Sequence, residues 1–416
     1  QLYRKYTYHE MHSYSLDAIG EYELNERKVD YEGTLDQLYN NDFEKFIAYS
    51  RQDVDLLVKL DAKLQFIDLA NVLAHSNTVL LQTTMGAVAQ TDQAILNEAH
   101  AQGLICPDKR YDKDTTSAAG AYVATPKKGM HKWVGSIDLN SLYPSIIRSC
   151  NMSTETIIGQ VRQVYTKELI ANAKTVAEAW EGRFACPEYE LVMQKNIEEI
   201  LHLDFEDGTS FEATGAEIYE IVFNSGQPWI ISANGTIFTY EKKGVIPGLL
   251  ERWYAERKVL QAKARDARAE GGDKFAYWDK RQLVKKINLN SLYGALLNPG
   301  SRFFDSRLGQ STTLTGRCIA KHMAGELNKI IAGEYNHQGD AIVYGDTDST
   351  YFSAYPMLKE QIKKGEINWD RDNIIAYYDA VCEEVNKTFP GFMSNTFHTT
   401  LELGSIIAAG REMVGS

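Results

Sequence analysis

With 416 residues, 44% of them hydrophobic and 24% charged, the chain is long enough for two or three domains and has an ordinary globular composition. No apolar run reaches the roughly 20 residues needed to cross a bilayer, and five scattered cysteines (Cys106, Cys150, Cys186, Cys318, Cys382) without a Cys-x-x-Cys pair read as buried thiols of a reducing compartment, not as zinc ligands or disulfides. The net charge of −12 taken alone argues against a nucleic-acid binder, yet Lys242 to Arg317 holds 16 basic against 7 acidic residues, leaving 28 and 49 for the rest: a basic segment on an acidic body, which suits phosphate handling.

The first residues, Gln1-Leu2-Tyr3-Arg4-Lys5, have no signal pattern and no initiating Met, and read as a mid-chain start. Apolar residues recur at helical period from Asp42 to Asn71, with Tyr49 and Asp53 four apart on one face, which by itself describes a surface pair. A second helical stretch runs from Thr83 to Gln102 and stops at Gly103. Cys106 to Lys132 reads as a Gly/Pro/Lys-rich loop that includes Gly120-Ala121-Tyr122-Val123.

Trp133 to Ile147 predicts a strand ending at Asp138, a tight turn, and a helix with Pro144 in its first turn. Such a turn directs Asp138 and the following carbonyl, that of Leu139, out of the strand end, where both can ligate a metal. Residues 159–243 mix an expected helix (Lys167 to Gly182) with alternating strands (Phe211 to Phe223, Trp229 to Tyr240) and carry no chemical motif. Gly244 to Gly248 opens a helix, Leu249 to Glu270, broken at Gly271-Gly272. A second runs from Lys274 to Tyr293 and ends at Gly294, making a helical hairpin. Lys286, Asn290 and Tyr293 fall on one stripe of it, an odd core face that makes sense facing a nucleotide, and Arg257 is a partner for phosphates.

After a helix from Thr312 to Ile331, the run Ala341 to Phe352 reads as a β-hairpin with Gly345-Asp346-Thr347-Asp348 at its tip. Two aspartates one residue apart repel each other, and a divalent cation relieves that. Oxygen-only ligands suit Mg²⁺, commonly held by one or two carboxylates plus substrate phosphates. A helix from Asn373 to Phe389 and a strand from Ser405 to Ala409, leading into Gly410-Arg411-Glu412, complete the chain.

Three stretches in fixed order, Asp138-Leu139-Asn140-Ser141-Leu142-Tyr143-Pro144-Ser145, Lys286-x-x-x-Asn290-Ser291-x-Tyr293-Gly294 and Tyr344-Gly345-Asp346-Thr347-Asp348-Ser349, together resemble motifs A, B and C of family B DNA polymerases. Flanks such as Gly120-Ala121-Tyr122-Val123 and Ser291 to Leu296 are similar to those of the replicative enzymes of T-even-type phages. The resemblance implies an α+β fold: an antiparallel palm sheet with helices, a helical-hairpin fingers insertion and a mostly helical exonuclease remnant. Its domains are expected at 1–105 (end of a 3′–5′ exonuclease), 106–243 (linker and first part of the palm with a β-rich insert), 244–294 (fingers) and 295–416 (second part of the palm), with no thumb. It implies template-directed DNA synthesis from dNTPs on a primer–template, in the cytoplasm of an infected host cell, with a sliding clamp or a complementary polymerase chain as partner and no membrane.

By the same resemblance Asp138, Asp348 and the Leu139 carbonyl hold two Mg²⁺ ions, with Mn²⁺ as a substitute, and Asp346 is the weaker nearby carboxylate. Lys286 and Arg257 bind the triphosphate. Asn290, Ser141 and Leu142 lie along the nucleotide, Tyr293 packs at the nascent base pair, and Tyr143 lies under the sugar and leaves no room for a 2′-hydroxyl. Gln261 stands where the family carries a second cation, with Lys258 and Lys263 nearby. Glu412 matches an acid near the metals, and Gly410 stands where a second acid is found. Tyr49 and Asp53 resemble the third exonuclease motif, but the other carboxylates are absent, so no proofreading is expected. Two alternatives are a split-polymerase subunit that is inert alone and a protein-primed family B enzyme.

Overall fold

The computed structural model describes residues 1–7, 9–109, 120–163, 200–271 and 274–415; the expected helix Lys167 to Gly182, Gly272 and Cys186 lie outside them. The chain divides into two compact units, one of residues Gln1–Asn97 with Glu256–Asn288, the other of Glu98–Ala255 with Leu289–Ser416.

The first unit is helical. Its helices α1 (Leu2–Tyr6), α2 (Leu16–Leu24), α3 (Leu35–Asn41), α4 (Phe43–Leu64) and α5 (Phe66–Asn77) start on side-chain caps where the sequence supplies them. Ser15 accepts from the Ala18 N–H, Thr34 and Gln37 form a capping box, and Asp42 accepts from the Lys45 N–H. The single period expected from Asp42 to Asn71 is two helices. Gln65 sits at φ 54°, caps α4 through its N–H to the Asp61 carbonyl, and redirects the chain. The α5 face of Leu69 and Leu73 packs on Val284, with Phe66, Tyr6, Leu283 and Ile287 around them. Two buried amides, Asn77 and Asn288, donate to each other at 3.0 Å. These contacts tie the hairpin segment Glu256–Asn288 to a helix some 200 residues earlier.

The second unit holds two antiparallel sheets. The first has strand order β7–β8–β1–β9, built from β1 (Val134–Leu139), β7 (Ile342–Asp346), β8 (Ser349–Phe352) and β9 (Ala409–Gly415). Ile137 and Leu139 are fully buried on one face of β1, each worth roughly 1.5–3 kcal/mol of transfer free energy. Gly135 lets Tyr378 close on that face, since a Cβ there would stand 2.6 Å from its ring, and the Tyr378 hydroxyl donates to the Trp133 carbonyl at 2.6 Å. Tyr378 lies on the helix Arg371–Phe397, which continues through Pro390 well beyond the expected end at Phe389.

The second sheet runs β4–β3–β2–β6–β5, with β2 Ile157–Gln163, β3 Ile200–Phe205, β4 Ser210–Thr214, β5 Trp229–Ile231 and β6 Thr236–Thr239. The expected strand Phe211 to Phe223 is corrected here. Thr214 forms a capping box with Glu217 and turns the chain into the short helix Gly215–Tyr219, a local signal that overrides the alternation. Trp229 to Tyr240 is two strands joined at Gly235. The strand expected at Ser405 to Ala409 is also corrected: Thr400 caps a single turn, Leu401–Gly404, and pairing begins only at Ala409. The helix expected to stop at Gly294 continues to Leu296.

Cys150, Cys318 and Cys382 are buried and Cys106 is half-buried, with no disulfide among the described residues. No described helix is long and apolar enough to cross a membrane.

Candidate active site

The candidate site lies in the second unit, where β1 ends beside the β7–β8 hairpin. Asp138 is in register with Ser349 on one side and with Gly410 on the other. One residue on, the Leu139 N–H donates to the Asp348 carbonyl at 2.8 Å, so the hairpin tip is stitched to the strand end. The tip itself is tight: Thr347 takes φ 55° and the Asp348 N–H bonds back to the Asp346 carbonyl at 2.6 Å. After Leu139 the chain breaks from the sheet at Ser141, at φ 49°, into the helix Leu142–Ser149. That turn is held by the Asn140 N–H on the Ala408 carbonyl and by the Ser145 hydroxyl on the Asn140 carbonyl, both at 2.9 Å.

Asp138, at the strand end, and Asp348, at the hairpin tip, are brought together. Burial, then the charges of Asp348 and Glu412, push Asp138 up to about 6. Asp348 is raised by burial and by Asp346 and Glu412, partly offset by a backbone hydrogen bond. Asp346 is exposed, accepting from the Thr347 hydroxyl at 2.9 Å and the Tyr344 hydroxyl at 3.3 Å.

Glu412 reaches the cluster through a β-bulge. Ser136 pairs with Met413 and Ile137 with Arg411, leaving Glu412 as the extra residue, and bulges re-aim side chains in just this way. The Ser136 hydroxyl donates to its Oε2 at 3.1 Å, and Arg411 pairs with Asp379. Asn386 clasps the start of the strand, accepting from the Ala409 N–H at 2.7 Å and donating to its carbonyl at 2.9 Å.

The two tyrosines of the motifs meet: Tyr143 and Tyr293 rings are 4.3 Å apart, tilted 41°. Burial first, then Tyr293 and Asp348, raises the Tyr143 hydroxyl. The Tyr293 hydroxyl bonds that of Thr313. Gly316 makes room for Tyr143, since a Cβ there would lie 3.2 Å from its ring. Asn290 is exposed one turn before Tyr293 on the same helix, Lys274–Leu296.

The loop through Gly120-Ala121-Tyr122-Val123 covers the edge of β7. Its Tyr122 carbonyl accepts from the Thr347 N–H at 2.9 Å, and the Ala124 N–H donates to the Gly345 carbonyl at 2.8 Å. Arg317 donates to the carbonyls of Gly120 and Ala121, each at 3.3 Å. Sequence reasoning missed Ser136, Thr313, Gly316 and Arg317 in these roles. Nothing local marks them, because their partners are distant in the chain.

Arg257 and Lys286 belong to the first unit, both half-buried. Arg257 donates from Nε to Gln282 at 3.4 Å. Tyr49 and Asp53 are there too, and one lysine engages both: Lys28 Nζ lies 2.6 Å from the Tyr49 hydroxyl and 2.9 Å from Asp53 Oδ2.

Among the described residues no group of three or more His, Cys, Asp or Glu side chains is arranged to hold a metal ion. The set that fits a hard divalent cation is smaller: two carboxylates and a backbone carbonyl, all oxygen, with Asp138 and Asp348 each raised first by burial and then by carboxylate neighbours.

Residues 78–365 match the profile of DNA polymerase family B. Over 395 residues the chain is 27% identical to the DNA-directed DNA polymerase of Escherichia phage RB69, covering 92% of this chain and 42% of that one. It is 27% identical over 374 residues to the DNA-directed DNA polymerase of Enterobacteria phage T4, covering 86% and 40%. Against the DNA polymerase delta catalytic subunit of Drosophila melanogaster it is 25% identical over 353 residues, covering 82% and 27%. The chain thus spans about two fifths of the length of the two phage relatives, 42% and 40%.

Proposed function

Because this chain belongs to DNA polymerase family B, we propose that it carries the palm and fingers of a DNA-directed DNA polymerase and joins dNTPs to a primer 3′-hydroxyl on a template. Residues 106–243 and 295–416 are read as palm with a β-rich insert, 244–294 as fingers, and 1–105 as the end of an exonuclease domain. The observation that carries the reading is the Leu139–Asp348 backbone bond, which fastens two carboxylate-bearing strand ends together in a half-buried cluster of carboxyls.

In this reading Asp138, Asp348 and the Leu139 carbonyl hold two Mg²⁺ ions. Bound there, the ions would activate the attacking 3′-oxygen and stabilise the leaving oxygen of an in-line phosphoryl transfer. Asp346 and Glu412 deepen the negative field that favours the cations. Lys286 and Arg257 take the triphosphate by charge and offset the charge that develops on it. Tyr143, backed by Tyr293 and given room by Gly316, supports the sugar with a rigid ring where a 2′-hydroxyl would need space. Ser141, Leu142 and Asn290 line the nucleotide.

The test is single-nucleotide primer extension with Mg²⁺, wild type beside Asp348→Ala. Extension in the wild type and its loss by at least about a thousandfold in the variant is expected, since the site would lose a charge that acts on the transition state. No extension from a folded wild type overturns the reading for this chain alone. One observation favours the second reading, a subunit completed by another chain: Val54, Leu57 and Val58 on α4 are each more than half exposed, at 61%, 57% and 62%.

A further inference from the structure

The β-rich insert, which carries no chemical motif, ends its sheet on β4, and among the described residues β4 has β3 as its one neighbour. Their pairing is unbroken from Asp204–Ser210 to Ile200–Thr214. At its start the Phe205 N–H donates to the Thr209 carbonyl at 2.8 Å. Because antiparallel pairs alternate, Phe211 and Ala213 turn their backbone groups to β3, and Ser210 and Glu212 turn theirs outward. Thr214 has the outward parity, and its N–H donates to the Glu217 carboxylate at 2.8 Å. An open edge is ordinarily guarded by lysine, proline or a bulge. Ser210-Phe211-Glu212-Ala213-Thr214 has none of the three.

Beside this edge the chain turns at Thr214 into the helix Gly215–Tyr219 and leaves a groove of about 600 Å³. Phe211, Ala216 and Tyr219 give it apolar walls. Glu212, Glu217 and Glu220 are its charged lining, and no described basic residue lines it. Phe211 remains 37% exposed although the Phe205 ring lies 5.9 Å away. The Thr214 N–H and hydroxyl hold the exposed Glu217 carboxyl below its ordinary range, so that wall stays anionic.

We propose that β4 and its groove take an extended segment of a partner protein that alternates apolar and basic side chains. Strand addition would give the partner backbone hydrogen bonds at Ser210 and Glu212. Alternate side chains of the added strand enter the groove beside Phe211, and the three carboxylates admit lysine or arginine and repel acids. A second copy pairing through its own β4 would bring two acidic rims together, which disfavours a contact between like edges. The inference concerns a surface apart from the Asp138 and Asp348 cluster and does not depend on the polymerase reading.

Fluorescence anisotropy of the whole chain with a labelled peptide of alternating lysine and valine tests it. The alternating peptide should bind. A peptide of the same composition, with its lysines and valines in two blocks, should bind at least about tenfold more weakly. N-methyl groups on one alternate set of peptide nitrogens should abolish binding and on the other set leave it, since one edge of the peptide faces β4. Glu212→Lys combined with Glu220→Lys, both at exposed positions, should weaken binding at least about tenfold by turning attraction into repulsion. Equal binding of the block peptide, or of both N-methylated peptides, would reduce the contact to unspecific charge attraction and overturn the proposal. Undiminished binding to the charge-reversed variant overturns it as well. So does a folded wild type that binds no alternating peptide, which leaves the edge to another segment of this chain or to a second copy.

Discussion

At the residue scale the molecule keeps several ionisable groups away from their ordinary behaviour, each for a nameable reason. Asp138 is raised because it is half-buried among other carboxylates. His322 shows the opposite sign. It stacks on Phe392 at 3.9 Å, its ring nitrogens are bonded to the hydroxyls of Tyr335 and Thr388, and burial, then the charge of Lys329, pushes it down to about 3. A histidine kept neutral in the folded chain protonates first in the unfolded one. Its contribution is therefore whole above the ordinary value of about 6.5 and is lost as pH falls from there towards 3, at up to about 1.4 kcal/mol per pH unit. Urea unfolding at pH 7, 6 and 5 should show that slope in the wild type, and His322→Gln should flatten it. An unchanged slope would assign the acid sensitivity elsewhere.

At the element scale, the hairpin segment and the N-terminal helices share one core through α5. The Asn77–Asn288 amide pair is buried, so removing one partner leaves the other short of hydrogen bonds. Asn288→Leu leaves the Asn77 side-chain amide with only its 3.5 Å contact to Gln90, and should lower stability by roughly 1–3 kcal/mol. Replacing both by leucine should recover part of that loss, because no orphan remains. Chemical denaturation of the two single variants and the double variant measures the coupling, and strictly additive losses would refute it. Two elements were misread from the sequence for a related cause. At Thr214 a capping residue starts a helical turn inside an alternating run, and period two by itself does not register a cap; at Thr400 the capped turn Leu401–Gly404 comes just before the expected strand, whose pairing waits until Ala409.

For the molecule as a whole, the clustering of Asp138, Asp348 and Glu412 costs stability that a bound cation would offset. Mg²⁺ should raise the melting temperature of the wild type, by the equivalent of about 2.7 kcal/mol at a hundred times its dissociation constant. Asp348→Asn should abolish that gain, and a gain that survives the substitution would place the cation elsewhere. Much of this site was legible in the sequence. Asp138, Asp346 and Asp348 lie at strand ends and a hairpin tip, where apolar alternation and turn residues dictate local shape within a few positions. The helix stripe of Lys286, Asn290 and Tyr293 follows from the 3.6 period in the same way. Only the tertiary structure decided the rest: the bulge that turns Glu412 beside Asp138, the Ser136 hydroxyl on it, the Gly120–Ala124 strap over β7, Lys28 on Tyr49 and Asp53, and the joining of 256–288 to α5. Each joins groups far apart in the chain, and such contacts are chosen by packing and charge after the elements form, so no local pattern records them.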